Sequence, residues 1–193
     1  MKKFCTRAWI LVAMAMLANG AQKKEADIVV CFHADNAKFG VIGPAERLAT
    51  QILRDAGISV EWRSGKEDYG RDAELIDAVL SAPDEHYLPG ALASAKLGVH
   101  SGTRIEVFYN RIGSSRSDAT AANLLAYALV HEITHIIEGV SRHSENGIMK
   151  ANWNAYDRQL IRSNSLHFAE VDLEMIHAWA EQRHNQNLIA ALR

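Results

Sequence analysis

Only 2 cysteines occur in the chain, and one of them, Cys5, lies in an N-terminal run that reads as removable, which leaves Cys31 alone. No disulfide framework can be built from one thiol, even in an oxidising compartment. Cys31 sits in the apolar run Ile28–Phe32, where it reads as a small buried hydrophobe, because no basic partner is at hand to stabilise a thiolate. Positive charge is not in excess either: 21 Lys and Arg stand against 23 Asp and Glu, a formal net charge of −2. A basic patch for nucleic acid or anionic lipid is therefore not expected. The N-terminal apolar run, Ala8–Ala18, falls short of the roughly 20 residues that span a bilayer. Internal repeats, heptad arrays, low-complexity tracts and phosphate-binding glycine loops are also missing, which removes the architectures and nucleotide sites that depend on them.

What remains is ordinary globular material. The chain has 193 residues, 48% hydrophobic and 23% charged, enough for one sizeable core. Lys2, Lys3 and Arg7 precede the apolar run, and Ala18-Asn19-Gly20-Ala21 supplies small residues for cleavage, so residues 1–21 read as a signal peptide and 22–193 as a single domain. A secreted or periplasmic location follows. Removal of the three basic residues shifts the net charge from −2 to −5.

The chain is organised around Leu124–Trp153. Within it His131, Glu132 and His135 form H-E-x-x-H, the pattern in which two histidines one helical turn apart bind zinc and the glutamate acts as general base. On a helix the two histidines stack about 6 Å apart on one face, so both imidazoles reach one ion. Ser117 and Asp118 are good N-caps and Gly139 can take the left-handed conformation that ends a helix, which predicts a helix over 119–138. A hydrolytic zinc site takes three protein ligands and keeps a fourth position open. The next helical turn lies too far along the axis, so the third ligand comes from beyond Gly139, where His143 is the candidate. Glu138 projects on the histidine face but about 10 Å along the axis from His131, which suits contact with a ligand better than ligation. Glu138 and Glu145 are candidates for fixing the imidazole tautomers.

The order helix, Gly139, His143, Gly147-Ile148-Met149 resembles the metzincin clan of zinc metallopeptidases, most closely small secreted bacterial proteins with H-E-x-x-H-x-x-x-G-x-x-x-H-S-x-x-G-[IL]-M and a nearby tryptophan, here Trp153. The resemblance covers Leu124–Trp153. It implies an α+β zincin domain, a small mixed twisted sheet packed on the active-site helix, then a Met-turn and a C-terminal helix. It also implies His131, His135 and His143 as zinc ligands, Glu132 as catalytic base, Met149 as the Met-turn residue, Zn2+ as cofactor, and a peptide or protein substrate hydrolysed by a monomer. The usual spacing is H-E-x-x-H-x-x-G-x-x-H, whereas here Glu138 takes the glycine position and His143 comes two residues late. If the chain instead resembles the gluzincins, Glu170 on a downstream helix is the rival third ligand. A secreted zinc module without catalysis, closed by a fourth ligand such as Glu138, is the alternative of a different class.

Elsewhere, Ile28–Phe32 reads as a buried strand. Gly43-Pro44 opens a helix that stops at Gly57, and Ile58, Val60 and Trp62 alternate as a half-buried strand. Gly65–Asp72 reads as a polar loop and Ala82–His100 as a long connection. Ala73–Ser81 fits helix or strand, and the resemblance implies a strand. Thr103–Arg111 alternates as a strand, which the resemblance puts on the sheet's upper edge, either to pair with an extended peptide or as an ordinary edge without a substrate role. Asn152–Ile161 reads as a short helix or turn and Leu166–Gln182 as a packed helix with a frayed tail after Arg183. Tyr127 reads as packing. Tyr156 does not match the oxyanion-stabilising tyrosines of some metzincins in spacing.

Overall fold

A computed structural model describes residues 26–33, 38–64, 74–81, 90–96, 103–115 and 117–192. The segment read as a signal peptide and the polar loop at 65–72 lie outside the described residues. Strand β1 (Ile28–His33) is followed by α1 (Phe39–Asp55), β2 (Val60–Arg63), β3 (Glu74–Ser81), β4 (Ala93–Lys96) and β5 (Thr103–Phe108). Then come α2 (Tyr109–Gly113), α3 (Asp118–Glu138), α4 (Ala155–Arg162) and α5 (Glu170–Ala191). The sheet is mixed, in the order β2-β1-β3-β5-β4, with β4 antiparallel to β5 and every other pairing parallel. The fold is α+β, as the sequence implies.

Period-2 alternation decides which face of the sheet is covered. Ile76, Ala78, Ile105 and Val107 are fully buried, while Leu75 is exposed and Asp77, Arg104 and Glu106 lie on the other side. That outer side carries an ionic ladder: His33 Nε2 lies 2.9 Å from Asp77, Arg104 bridges Asp77 and Glu106 at 3.1 and 3.6 Å, and Lys96 reaches Glu106 at 3.1 Å. On the covered side α1 packs against α3, and α3 also touches β4, β5, α2, α4 and α5. This central position explains why α3 is apolar almost all round, with Leu125, Leu129 and Ile133 fully buried. Truncating one such leucine to alanine costs about 2–5 kcal/mol.

The ends of α3 are set as the sequence implies. Ser117 Oγ accepts from the Thr120 N–H at 3.2 Å, and Gly139 turns left-handed with φ 67°. Four expectations need correction. Helix α1 starts at Phe39, a turn before Gly43-Pro44, so Pro44 lies inside it. Part of the expected Ala82–His100 connection is strand β4, and β4 rather than β5 forms the sheet edge. The strand expected to reach Arg111 stops at Phe108, where the chain turns into α2. Helix α5 continues to Ala191 instead of fraying after Arg183. Cys31 is buried and free, as expected. No helix among the described residues is long and apolar enough to cross a membrane.

Candidate metal centre

The first two histidines owe their position to the helix and to two backbone carbonyls. His131 Nδ1 lies 2.8 Å from the Ile148 carbonyl and His135 Nδ1 lies 3.1 Å from the Val140 carbonyl. A carbonyl only accepts, so each Nδ1 must carry the proton, and each neutral imidazole is left with its lone pair on Nε2. The two Nε2 atoms converge to 3.1 Å. Two lone pairs so close repel each other unless a proton or a cation stands between them. Burial holds the His131 imidazolium well below its ordinary range, at about 4, and burial likewise lowers His135. Neutral, convergent nitrogens are what a metal ion requires.

His143 completes the set. Its ring stacks at 5.4 Å from His131 and stands edge-on at 4.9 Å from His135. The candidate ligand atoms of the three histidines all lie within 4.8 Å of one another, so His131, His135 and His143 can hold a metal ion. Among the described residues no carboxylate joins this group. Glu170 opens α5 and is exposed, and Glu138 turns to Arg142, with Oε1 3.0 Å from its guanidinium. The expected tautomer-fixing role of Glu138 and Glu145 is not seen at His131 or His135, where the carbonyls of Ile148 and Val140 fill it. Main-chain acceptors leave no trace in residue identity, which is why the sequence could not reveal them.

Met149 lies in a buried turn that also supplies one of those carbonyls. Gly147 has φ 79°, and a Cβ there would come within 2.6 Å of the His167 carbonyl oxygen, so only glycine fits. Ser144 N–H donates to Met149 O at 2.9 Å and Ile148 N–H to His167 O at 3.0 Å. The turn is thereby tied on two sides, and Met149 is completely buried. Ile148 O also accepts from Trp153 Nε1 at 3.2 Å, while the Trp153 ring stands edge-on to both His131 and Tyr127. Tyr127 is packing, as expected, its hydroxyl donating to Leu166 O at 3.2 Å.

Glu132 faces the same cleft and is only 7% exposed. Burial pushes its carboxyl up to about 7, against the pull of a backbone hydrogen bond from Ala95 on β4. A cation beside it would bring it down again. The cleft has a volume of about 440 Å³ and runs between residues 90–95, the three histidines, and residues 150–153 with Arg158. Its wall at β4 was missed in the sequence, because Ala-Ser-Ala-Lys carries little strand signal of its own. Tyr156 is exposed and is not part of the cleft lining. No protein-family model matches the chain, and no curated protein matches it.

Proposed function

We propose that this chain is a zinc-dependent metallopeptidase of metzincin type, exported by its N-terminal segment and acting on peptide or protein substrates. The observation that carries the reading is the convergence of two carbonyl-oriented Nε2 atoms and His143 beside a buried glutamate in an open cleft. The donor set suits zinc. With Zn–N bonds of about 2.0–2.1 Å, two nitrogens of a tetrahedral site lie roughly 3.3 Å apart, and His131 and His135 stand at 3.1 Å. Held by three neutral imidazoles, zinc supplies Lewis acidity that polarises a carbonyl and lowers the pKa of water.

The chain's own residues account for the rest. Glu132, nearly desolvated and with its carboxyl raised by burial, takes a proton from the attacking water and returns it to the departing amine. Among the described residues strand β4 pairs only with β5, and its other edge, where the Ala95 backbone bonds Glu132, runs along the cleft and offers backbone groups to an extended peptide. The buried turn at Gly147–Lys150 sets the His131 ring through the Ile148 carbonyl. Glu138 and Glu170 do not close the coordination sphere, which favours an open hydrolytic site over a sealed structural one. Metal analysis of purified protein together with a broad peptide library tests the proposal: about one zinc per chain and chelator-sensitive cleavage are expected. A chain fully loaded with zinc that cleaves nothing supports the non-catalytic module instead.

A further inference from the structure

His143 differs from its two partners in that it is exposed and lies outside any helix. Its place must be imposed through the chain on either side of it. The residues flanking it, Arg142 and Ser144, both bind the same oxygen: Asp172 Oδ1 accepts from Arg142 Nη2 at 2.8 Å and from Ser144 Oγ at 2.5 Å. Arg142 Nη1 also reaches Ser144 Oγ at 3.1 Å, so the two neighbours of His143 are joined to each other as well. The guanidinium extends further, to Glu138 Oε1 at 3.0 Å and Met175 Sδ at 3.1 Å. Asp172 is completely buried in the first turn of α5, and its second oxygen accepts the Ala169 N–H at 3.3 Å.

We propose that Arg142, Ser144 and Asp172 form a clamp that presents His143 to the metal, so that the third ligand is positioned through the docking of α5. This rests on the reading of the three histidines as a metal site. The chemistry favours a positioning role. A guanidinium offers five donors in a rigid fork, and here it spans the end of α3, the loop and α5. The loop is two residues longer than the metzincin spacing, and a longer loop has more conformations to lose, which an anchor on both sides of His143 removes before metal arrives.

Asp172→Asn keeps the shape of the side chain and weakens the charged bonds, and Ser144→Ala removes one arm at a half-exposed position, which keeps a folded variant available. Zinc affinity of the full chain, measured by competition with a chromophoric chelator, is expected to fall about tenfold to a hundredfold in each variant, the usual size for an outer partner of a metal ligand. In a His143→Ala background the same two substitutions are expected to cause no further loss, because there is no third imidazole left to position. A purely structural role predicts equal losses in both backgrounds, and that result overturns the clamp, as does wild-type affinity in folded Ser144→Ala. Wild-type chain that binds no zinc overturns the metal-site reading and the clamp together; one zinc per wild-type chain with unaffected variants overturns the clamp alone.

Discussion

The two halves of the candidate metal centre are built on opposite principles. His131 and His135 lie on one buried helix, each 8% exposed, their spacing fixed by the helical turn and their tautomers by carbonyls 2.8 and 3.1 Å away. His143 lies exposed in a loop, and what holds its neighbours is a carboxylate thirty residues further on. In one half the spacing is local and preformed by the helix, with tertiary structure adding the Ile148 carbonyl. The other is held through tertiary contacts, and the clamp proposal makes it correspondingly sensitive to changes far from the candidate site.

The largest effect should separate the halves directly. Apparent zinc-binding energies of roughly 10–16 kcal/mol shared among four ligands come to about 2.5–4 kcal/mol each, on the order of seventyfold to a thousandfold in affinity. His131→Ala or His135→Ala should lose at least that much, since each removes one of two prepositioned nitrogens. His143→Ala should lose less, because water can replace an exposed ligand more readily than a buried one. Titration calorimetry on the three variants checks the ranking, and equal losses would break the distinction.

A smaller effect concerns acid. Lys150 Nζ lies 2.6 Å from Asp157 Oδ2, which also accepts from Asn154 N–H at 2.8 Å at the start of α4. Burial alone would raise the Asp157 carboxyl, but the bonds from Lys150 and Asn154, with the lysine charge, outweigh it and leave the group below its ordinary 3.8. A carboxylate whose folded pKa is depressed stabilises the fold above its unfolded pKa and ceases to do so as pH falls through the folded one. Asp157→Asn should therefore lower the melting temperature at neutral pH and leave little difference from wild type at pH values well below 3.8. A difference of constant size across that range would contradict the assignment.

The smallest effect should come from the outer face of the sheet. Arg104 is paired with Asp77 and Glu106 but is 45% exposed, so Arg104→Ala should change stability by about 0.5 kcal/mol or less. Arg142, only 30% exposed and bonded to a carboxylate with no exposure, should cost far more when truncated. Denaturant midpoints of the two alanine variants test this contrast between a solvated ladder and a buried clamp.

The same division explains what was legible in the sequence. Helix α3 could be placed to within one residue because Ser117, Gly139 and the apolar positions between them are local signals. The strands β1 and β5 were visible in their apolar and alternating runs, since burial on a pleated surface selects such residues, whereas β3 was expected only from its place in the metzincin-like order. Strand β4 was not, because its small residues form an edge only through pairing with β5. The carbonyls of Ile148 and Val140 carry no residue-type signal at all. Arg142 and Asp172 stand 30 residues apart, and only tertiary packing brings them together.

The central claim is that Glu132 is the base of a zinc peptidase, and one substitution tests it most directly. Glu132→Gln keeps the size of a side chain only 7% exposed and removes its capacity to accept a proton. Zinc content and hydrolysis of an unstructured protein substrate should be measured on the same preparation. The account predicts that zinc stays at about one per chain while hydrolysis falls on the order of a hundredfold or more, the usual contribution of a general base. Hydrolysis by Glu132→Gln at the wild-type rate, with zinc bound in both, would contradict it.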